Sequence, residues 1–151
     1  MRPRFSSKYK GINCRVYLVC EKGPHKQITL NSPDAVYELV KDELASSDRE
    51  KILSVLLTTK NTLIGVETIG IGTLSCTVTS PREVFKSAVL ANADSIILCH
   101  NHPSGNLQPS DADNKITKKI MESAKIMDIQ LLDHLIIADN SYFSYADNGL
   151  M

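Results

Sequence analysis

Neither charge sign is in excess: seventeen lysines and arginines face seventeen aspartates and glutamates over 151 residues. A chain with no basic surplus lacks the electrostatic footprint that nucleic-acid binding leaves on most domains, although a local basic patch stays compatible with it. No apolar run reaches the length needed to cross a bilayer, and the basic start, Met1-Arg2-Pro3-Arg4, has no apolar stretch behind it to act as a secretory leader. No two cysteines are spaced as CxxC; Cys14, Cys20, Cys76 and Cys99 sit in or beside apolar runs, so they read as free, buried thiols of a reducing compartment. A cytoplasmic protein without membrane contact is expected. Internal repeats and low-complexity tracts are also missing, and the length suits one domain that buries its own core without disulfides.

What is present alternates between strand and helix signals. Residues 1–10 are polar and basic and read as frayed. Ile12 to Val19 is rich in β-formers, Gly23-Pro24 marks a turn, and Gln27–Leu30 predicts a second short strand, which together make a hairpin. Ser32-Pro33-Asp34 is an N-cap followed by proline at the first helical position, and Val36, Leu39, Val40 and Leu44 carry a helical period to Ala45. The near-continuous apolar run Ile52–Leu57 predicts a central strand covered on both faces, and Leu63–Ile69, after the turn at Lys60-Asn61, its antiparallel partner. Cys76-Thr77-Val78 reads as a further short strand, and Ser80-Pro81 opens a helix to Asn92, with Glu83 placed as a capping-box partner for Ser80. Asp94 to Cys99, Gln130–Ala138 and Tyr142–Tyr145 complete the strands. The pattern predicts an α/β domain with a mixed central β-sheet sandwiched by helices.

One stretch gathers the chemistry. His100 to Asp113 carries two of the four histidines, two prolines and two acids within fourteen residues. An apolar strand precedes it, and the recurrence of Ile116, Ile120, Ala124 and Met127 predicts that Asp113 opens a helix. On an extended chain, residues two apart share a side, so His100 and His102 converge. Imidazole nitrogens suit zinc, and a carboxylate oxygen from Asp113 completes a three-ligand set whose fourth tetrahedral position is left to water, as in catalytic zinc sites. Pro103 and Pro109 restrict the intervening loop while Gly105 lets it turn.

Each of these residues has a plainer reading. Ser110 to Asp113 is also an ordinary capping box, and histidines at a strand end can be satisfied polar groups. It is the set of identities at fixed offsets that favours a metal. His134, in a buried strand, reads first as a hydrogen-bonded core histidine, the alternative being support of a metal ligand. His25, in a Gly-Pro turn, reads as surface, and Cys99, next to His100, should face the other side of the sheet.

These residues resemble the JAMM motif of the JAB/MPN metalloenzymes: His-x-His-Pro, six residues, Ser, two residues, Asp, preceded at a distance by Glu. The match is complete from His100 to Asp113. Pro81-Arg82-Glu83-Val84, His100 to Gly105, Pro109-Ser110 and Leu132-Asp133-His134-Leu135-Ile136 look like the RadC-like branch, historically called DNA repair proteins. The resemblance implies a JAB/MPN, cytidine-deaminase-like architecture over residues 32–151, with residues 1–31 as a tail and β-hairpin extension. The helix-hairpin-helix segment of many RadC-like proteins does not fit within residues 1–31, which are too short and too β-like.

The resemblance further implies a Zn2+ site with His100, His102 and Asp113 as ligands, Ser110 steadying the oxyanion, and a glutamate that moves the proton of the attacking water. Glu50 opens the apolar strand and lies 50 residues before His100; Glu67 lies 33 before it, inside the next strand. Glu50 is preferred as the general base, and Glu67 is the runner-up. The expected function is a zinc-dependent metallopeptidase-like hydrolase acting on an amide or isopeptide bond of a peptide substrate. The rival is a DNA-repair or mobile-element accessory protein with a structural or silent metal site. A nucleotide deaminase is disfavoured, because the Pro-Cys-x-x-Cys ligand segment is missing.

Overall fold

The computed structural model describes residues 27–72, 79–138 and 140–151. The first strand of the expected hairpin, the strand at Cys76–Val78, His25 and the cysteines at 14, 20 and 76 lie outside the described residues. In chain order the elements are α1 Pro33–Ala45, β1 Lys51–Leu57, β2 Leu63–Ile71, α2 Pro81–Leu90, β3 Ser95–Asn101, α3 Asp111–Met127, β4 Gln130–Ala138 and β5 Ser141–Ser144. The five strands form one sheet in the order β2-β1-β3-β4-β5. Only β3 and β4 run parallel, joined by the crossover α3; the other neighbours are antiparallel, so the sheet is mixed, as expected.

Alternation along the central strands distributes the core between two layers. Leu53, Val55, Leu57, Ile97, Cys99, Leu135 and Ile137 face α1, which buries Val36, Val40 and Leu44 at helical spacing. Leu56, Ile96 and Leu98 face α2 and α3, which contribute Val84, Phe85, Ala88, Ile120 and Ala124. Helix α1 begins as the sequence predicts: the Ser32 side chain accepts the Ala35 N–H at 3.2 Å, a cap worth about 1 kcal/mol.

Three expectations are corrected. Gln27–Leu30 is not a strand but makes a single bridge, Thr29 to Thr62, across the β1–β2 turn. Leu30 N donates to Asn61 O and Leu63 N to Ile28 O, so the segment laces the turn and then buries Leu30 in the α1 layer. Ser80 caps α2 with its backbone alone, because the Glu83 carboxylate is drawn to Lys86 at 2.9 Å instead of back to Ser80. Finally, β3 runs through Asn101, two residues past Cys99, and all seven of its residues are buried. His100 therefore lies inside the ladder, paired with Ile52 on one side and Ile136 on the other.

Candidate metal centre

The end of β3 carries polar side chains to opposite faces of the sheet. His100 turns toward the α3 layer together with Leu98, while Asn101 turns toward the α1 side. The chain stays extended through His102, whose N–H donates to Ile137 O at 2.9 Å, and then turns where Gly105 adopts φ +80° and donates to His102 O. The two imidazoles meet as the spacing predicts: Nε2 of His100 lies 3.0 Å from Nε2 of His102.

Asp113 reaches them from the first turn of α3. Ser110 is the N-cap, and both halves of the capping box are present: Ser110 Oγ accepts from Asp113 N at 3.1 Å, and Asp113 Oδ2 accepts from Ser110 N at 2.7 Å. The plain reading and the functional one are thus the same geometry, since the cap holds the carboxylate against the histidines. Asp113 Oδ1 lies 3.2 Å from His100 Nε2, and Oδ2 lies 3.3 Å from His102 Nε2. Asp113 is fully buried, and its Oδ1 has no hydrogen-bond partner, a state that is costly for a carboxylate unless a cation or donor reaches it.

The residues fit a metal. His100, His102 and Asp113 each offer a ligand atom, all within 4.8 Å of one another. Ligands about 2.0–2.1 Å from a tetrahedral zinc stand about 3.3 Å apart; the two Nε2 atoms are 3.0 Å apart, and each faces a different oxygen of Asp113, His100 with Oδ1 at 3.2 Å and His102 with Oδ2 at 3.3 Å. The donor set, two neutral imidazoles and one carboxylate, is of the kind zinc takes.

Electrostatics follow from burial and pairing. Burial holds the His100 pKa below the ordinary histidine value, although Asp113 acts in the other direction. His102, at the open side of the site, is raised by its contact with Asp113 against a smaller burial effect. Burial pushes the Asp113 carboxyl upward, but the two imidazoles and the Ser110 hydroxyl prevail and hold it well below the usual carboxylate range. A buried anion at the first turn of a helix is also favoured by the helix dipole.

The two glutamates are placed differently. Glu50 immediately precedes β1, and its carbonyl accepts from Gly72 N, so it continues the ladder two residues before Ile52, the partner of His100. Its charge raises the pKa of both His100 and His102. Glu67 lies on the edge strand beside Ser54, which itself pairs with Leu98, so the width of β1 separates it from His100; its charge acts on Lys86 of α2. Ser110 Oγ donates to Asp113 Oδ2 at 2.7 Å, so its proton faces the carboxylate here.

Two supporting residues were not foreseen from sequence. Asn101 Oδ1 accepts from Lys51 N at 2.7 Å, and its Nδ2 donates to Arg49 O at 3.0 Å and Ser47 O at 3.4 Å, clamping the segment that carries Glu50. Thr117 lies one turn after Asp113 and touches His134. The i, i+4 spacing from Asp113 was the available signal for Thr117, and strand alternation between the two histidines the signal for Asn101. His134 is a hydrogen-bonded core histidine that also contacts a candidate ligand residue, with its Nε2 2.8 Å from His100 Nδ1. Cys99 is buried in the α1 layer, on the opposite face from His100, and burial pushes its thiol pKa up. An open cleft of about 900 Å3 borders His102 and Pro103, with Tyr37, Asp42 and Asp48 on its other walls.

Fold and site together define an α/β domain in which a His-x-His strand end and a helix-capping aspartate form a buried three-donor pocket able to hold a metal ion. The RadC-like JAB domain family matches residues 30–150, and the chain belongs to that family. A UPF0758 protein of Desulforamulus reducens is 45% identical over 125 residues, covering 83% of this chain and 55% of the relative. A UPF0758 protein of Finegoldia magna is 47% identical over 116 residues, covering 77% and 52%. UPF0758 protein CT0611 of Chlorobaculum tepidum is 42% identical over 116 residues, covering 77% and 52%. The chain spans about half the length of the curated relatives it matches. No helix among the described residues is long and apolar enough to cross a membrane.

Proposed function

We propose that this protein is a zinc-dependent hydrolase that cleaves an amide or isopeptide bond. The carrying observation is the convergence of His100 Nε2, His102 Nε2 and a buried Asp113 oxygen without a hydrogen-bond partner, beside Glu50. His100, His102 and Asp113 are the residues that would hold the ion. Zinc, when bound, makes a water nucleophilic at neutral pH and polarises the scissile carbonyl.

The chain's own groups supply the remaining work. Glu50, on the same face as the histidines, accepts the proton of the attacking water at a carboxylate oxygen and returns it to the leaving nitrogen. Ser110 holds Asp113 in its ligand geometry; to steady an oxyanion its hydroxyl must turn away from Asp113 Oδ2. The cleft beside His102 leaves room for an extended peptide on the open side of the site. The buried, unpaired Cys99 supports a reducing, cytoplasmic setting.

The test is hydrolysis of peptide and isopeptide libraries by the zinc-loaded protein, with a chelator added and then removed by excess zinc. Product that appears, vanishes with the chelator and returns supports the reading; zinc-loaded protein that cuts neither library overturns it. One observation favours the rival reading, a DNA-associated accessory role: Lys115, Lys118, Lys119 and Lys125 are exposed on α3. Against it, Asp42 and Asp48 line the cleft beside the site, and phosphates avoid acidic walls. A gel shift at physiological salt with a steep salt slope decides for that role.

A further inference from the structure

The zinc reading leaves one buried group unexplained: a second imidazole behind the first. His134, on β4, is fully buried with its ring stacked on Tyr145, centroids 4.9 Å apart and planes 13° apart. Tyr145 N donates to His134 O, and Tyr145 Oη donates to Asn114 Oδ1 on α3, so the stack is tied at both ends. The ring therefore has one orientation. Its Nε2 lies 2.8 Å from His100 Nδ1, and its Nδ1 lies 2.6 Å from Thr117 Oγ1.

We propose that Thr117 and His134 are positioning residues that fix the tautomer and ring angle of His100, leaving the Nε2 lone pair of His100 free for the metal. The direction of the chain follows from proton counting. A hydroxyl has one proton, and we assign that of Thr117 to the Asp113 backbone carbonyl at 2.7 Å, which cannot donate in return. Toward His134, Thr117 is then an acceptor, so the proton of His134 sits on Nδ1. A neutral imidazole carries one N–H, and burial favours that neutral form, so His134 Nε2 is an acceptor. His100 must then donate from Nδ1, and its Nε2, which faces His102 and Asp113, keeps its lone pair.

His102 reaches the same state by a shorter route, since its Nδ1 donates to Asn106 O at 2.6 Å. The two ligand histidines are thus oriented by different means, a local turn carbonyl for His102 and a three-residue relay from α3 through β4 for His100. The relay starts at the carbonyl of Asp113, the third ligand residue, so one hydrogen-bonded chain links the backbone of one ligand to the imidazole of another. A hydrogen-bonded second layer of this kind raises ligand basicity and fixes geometry, and its loss commonly weakens metal binding 10- to 100-fold, roughly.

This inference rests on the zinc reading but is tested apart from hydrolysis. Zinc affinity is measured by chelator competition in the wild type and in His134→Phe, His134→Gln and Thr117→Val, alongside imidazole nitrogen NMR of the wild type with and without zinc. Zinc binding about 10- to 100-fold weaker in His134→Phe, partial recovery in His134→Gln, whose amide oxygen can accept from His100, and a smaller loss in Thr117→Val support the relay. The NMR signature expected is Nδ1–H on both His100 and His134. Zinc binding by His134→Phe at wild-type strength, or a proton on His100 Nε2, overturns the relay while leaving the zinc reading intact. Wild type that binds no zinc instead removes the zinc reading, and the tautomers read in metal-free protein still decide the relay. Should His134→Phe fail to fold, Thr117→Val and the wild-type spectra carry the decision.

Discussion

The side chain of Asn101 accepts the backbone N–H of Lys51 at 2.7 Å, joining the residue between His100 and His102 to the residue that follows Glu50. The same amide donates to the carbonyls of Arg49 and, more weakly, Ser47. Three backbone groups of the segment entering β1 are thus bonded to one side chain of β3. Asn101 is 4% exposed, so these groups lose a partner that water replaces poorly. The strand that carries His100 also bonds the segment in which Glu50 stands.

Asn101→Ala should therefore loosen Glu50 without touching a ligand. We expect a stability loss of about 1–3 kcal/mol in denaturant unfolding, faster hydrogen exchange at the Lys51 amide, and hydrolysis that falls more than zinc affinity does. Asn101→Asp should not rescue it. A carboxylate keeps an acceptor for Lys51 N but turns a second oxygen toward two carbonyls. Equal losses of zinc affinity and hydrolysis in Asn101→Ala would point to collapse of the β3 end instead.

Glu50→Gln and Glu67→Gln separate the two candidate bases. Glu50 acts electrostatically on both histidines, whereas Glu67 sits on the edge strand beside Ser54 and its charge acts on Lys86. Removing a general base commonly costs about 100- to 10,000-fold in rate. Glu50→Gln should lose hydrolysis on that scale while retaining bound zinc, measured by metal content and turnover on the same sample, and Glu67→Gln should keep near wild-type turnover. The reverse pattern would transfer the role to Glu67.

How much of this was readable beforehand depends on whether the information is local. Ser32-Pro33 and the Ser110 to Asp113 spacing state their caps within one turn, and both helices start there. His-x-His on an extended chain converges by alternation alone, and the imidazoles do meet. The Ser80 to Glu83 spacing has the same form, yet Lys86, one turn on, takes the carboxylate; a capping box competes with every cation in reach, and the motif does not carry that competition. Asn101 was legible only as a polar residue on a buried strand, and His134 only as a core histidine or the support of a metal ligand, with no partner named. Their partners lie 50 residues away at Lys51 and 34 away at His100, so strand order had to be known first. Glu50 lay between these cases. Its position before an apolar strand was visible, but the antiparallel register of β1 with β3 is what puts it level with the histidines.

Asp133 provides a pH test outside the metal centre. Its carboxylate accepts from His134 N at 2.7 Å, Ala146 N at 3.0 Å and Ser144 Oγ at 2.6 Å. Burial nonetheless raises its pKa above the ordinary carboxylate value, those bonds acting the other way and the charge of Asp147 adding to the rise. The folded chain then binds this proton more readily than the unfolded chain, whose value is about 3.9. The contribution is full below that value and is lost as pH rises through the raised folded value. Asp133→Asn keeps an acceptor for both backbone donors and has nothing to titrate. In urea unfolding, the stability of the wild type relative to Asp133→Asn should decline as pH rises from about 4 and level off above the raised value. Curves that stay parallel across that range would remove the assignment.

Zinc itself should act as a stabiliser, because the three donor atoms come from the end of β3, the loop after it and the first turn of α3. A ligand that binds only the folded chain adds about 2.7 kcal/mol at a hundred times its Kd, which at this chain length corresponds to a Tm rise of about 5–10 °C. Thermal unfolding with zinc, with magnesium and with zinc plus chelator measures it. The rise should appear with zinc alone, since magnesium prefers oxygen ligands in octahedral geometry and only Asp113 offers oxygen here. Asp113→Asn should lose most of the rise. The two imidazoles and the Ser110 hydroxyl favour the ionised Asp113 carboxyl in the folded chain, so the metal-free variant should itself be less stable, and the zinc effect is read as the rise above each variant's own metal-free Tm. A Tm that zinc raises equally in wild type and Asp113→Asn would place the ion somewhere other than among His100, His102 and Asp113.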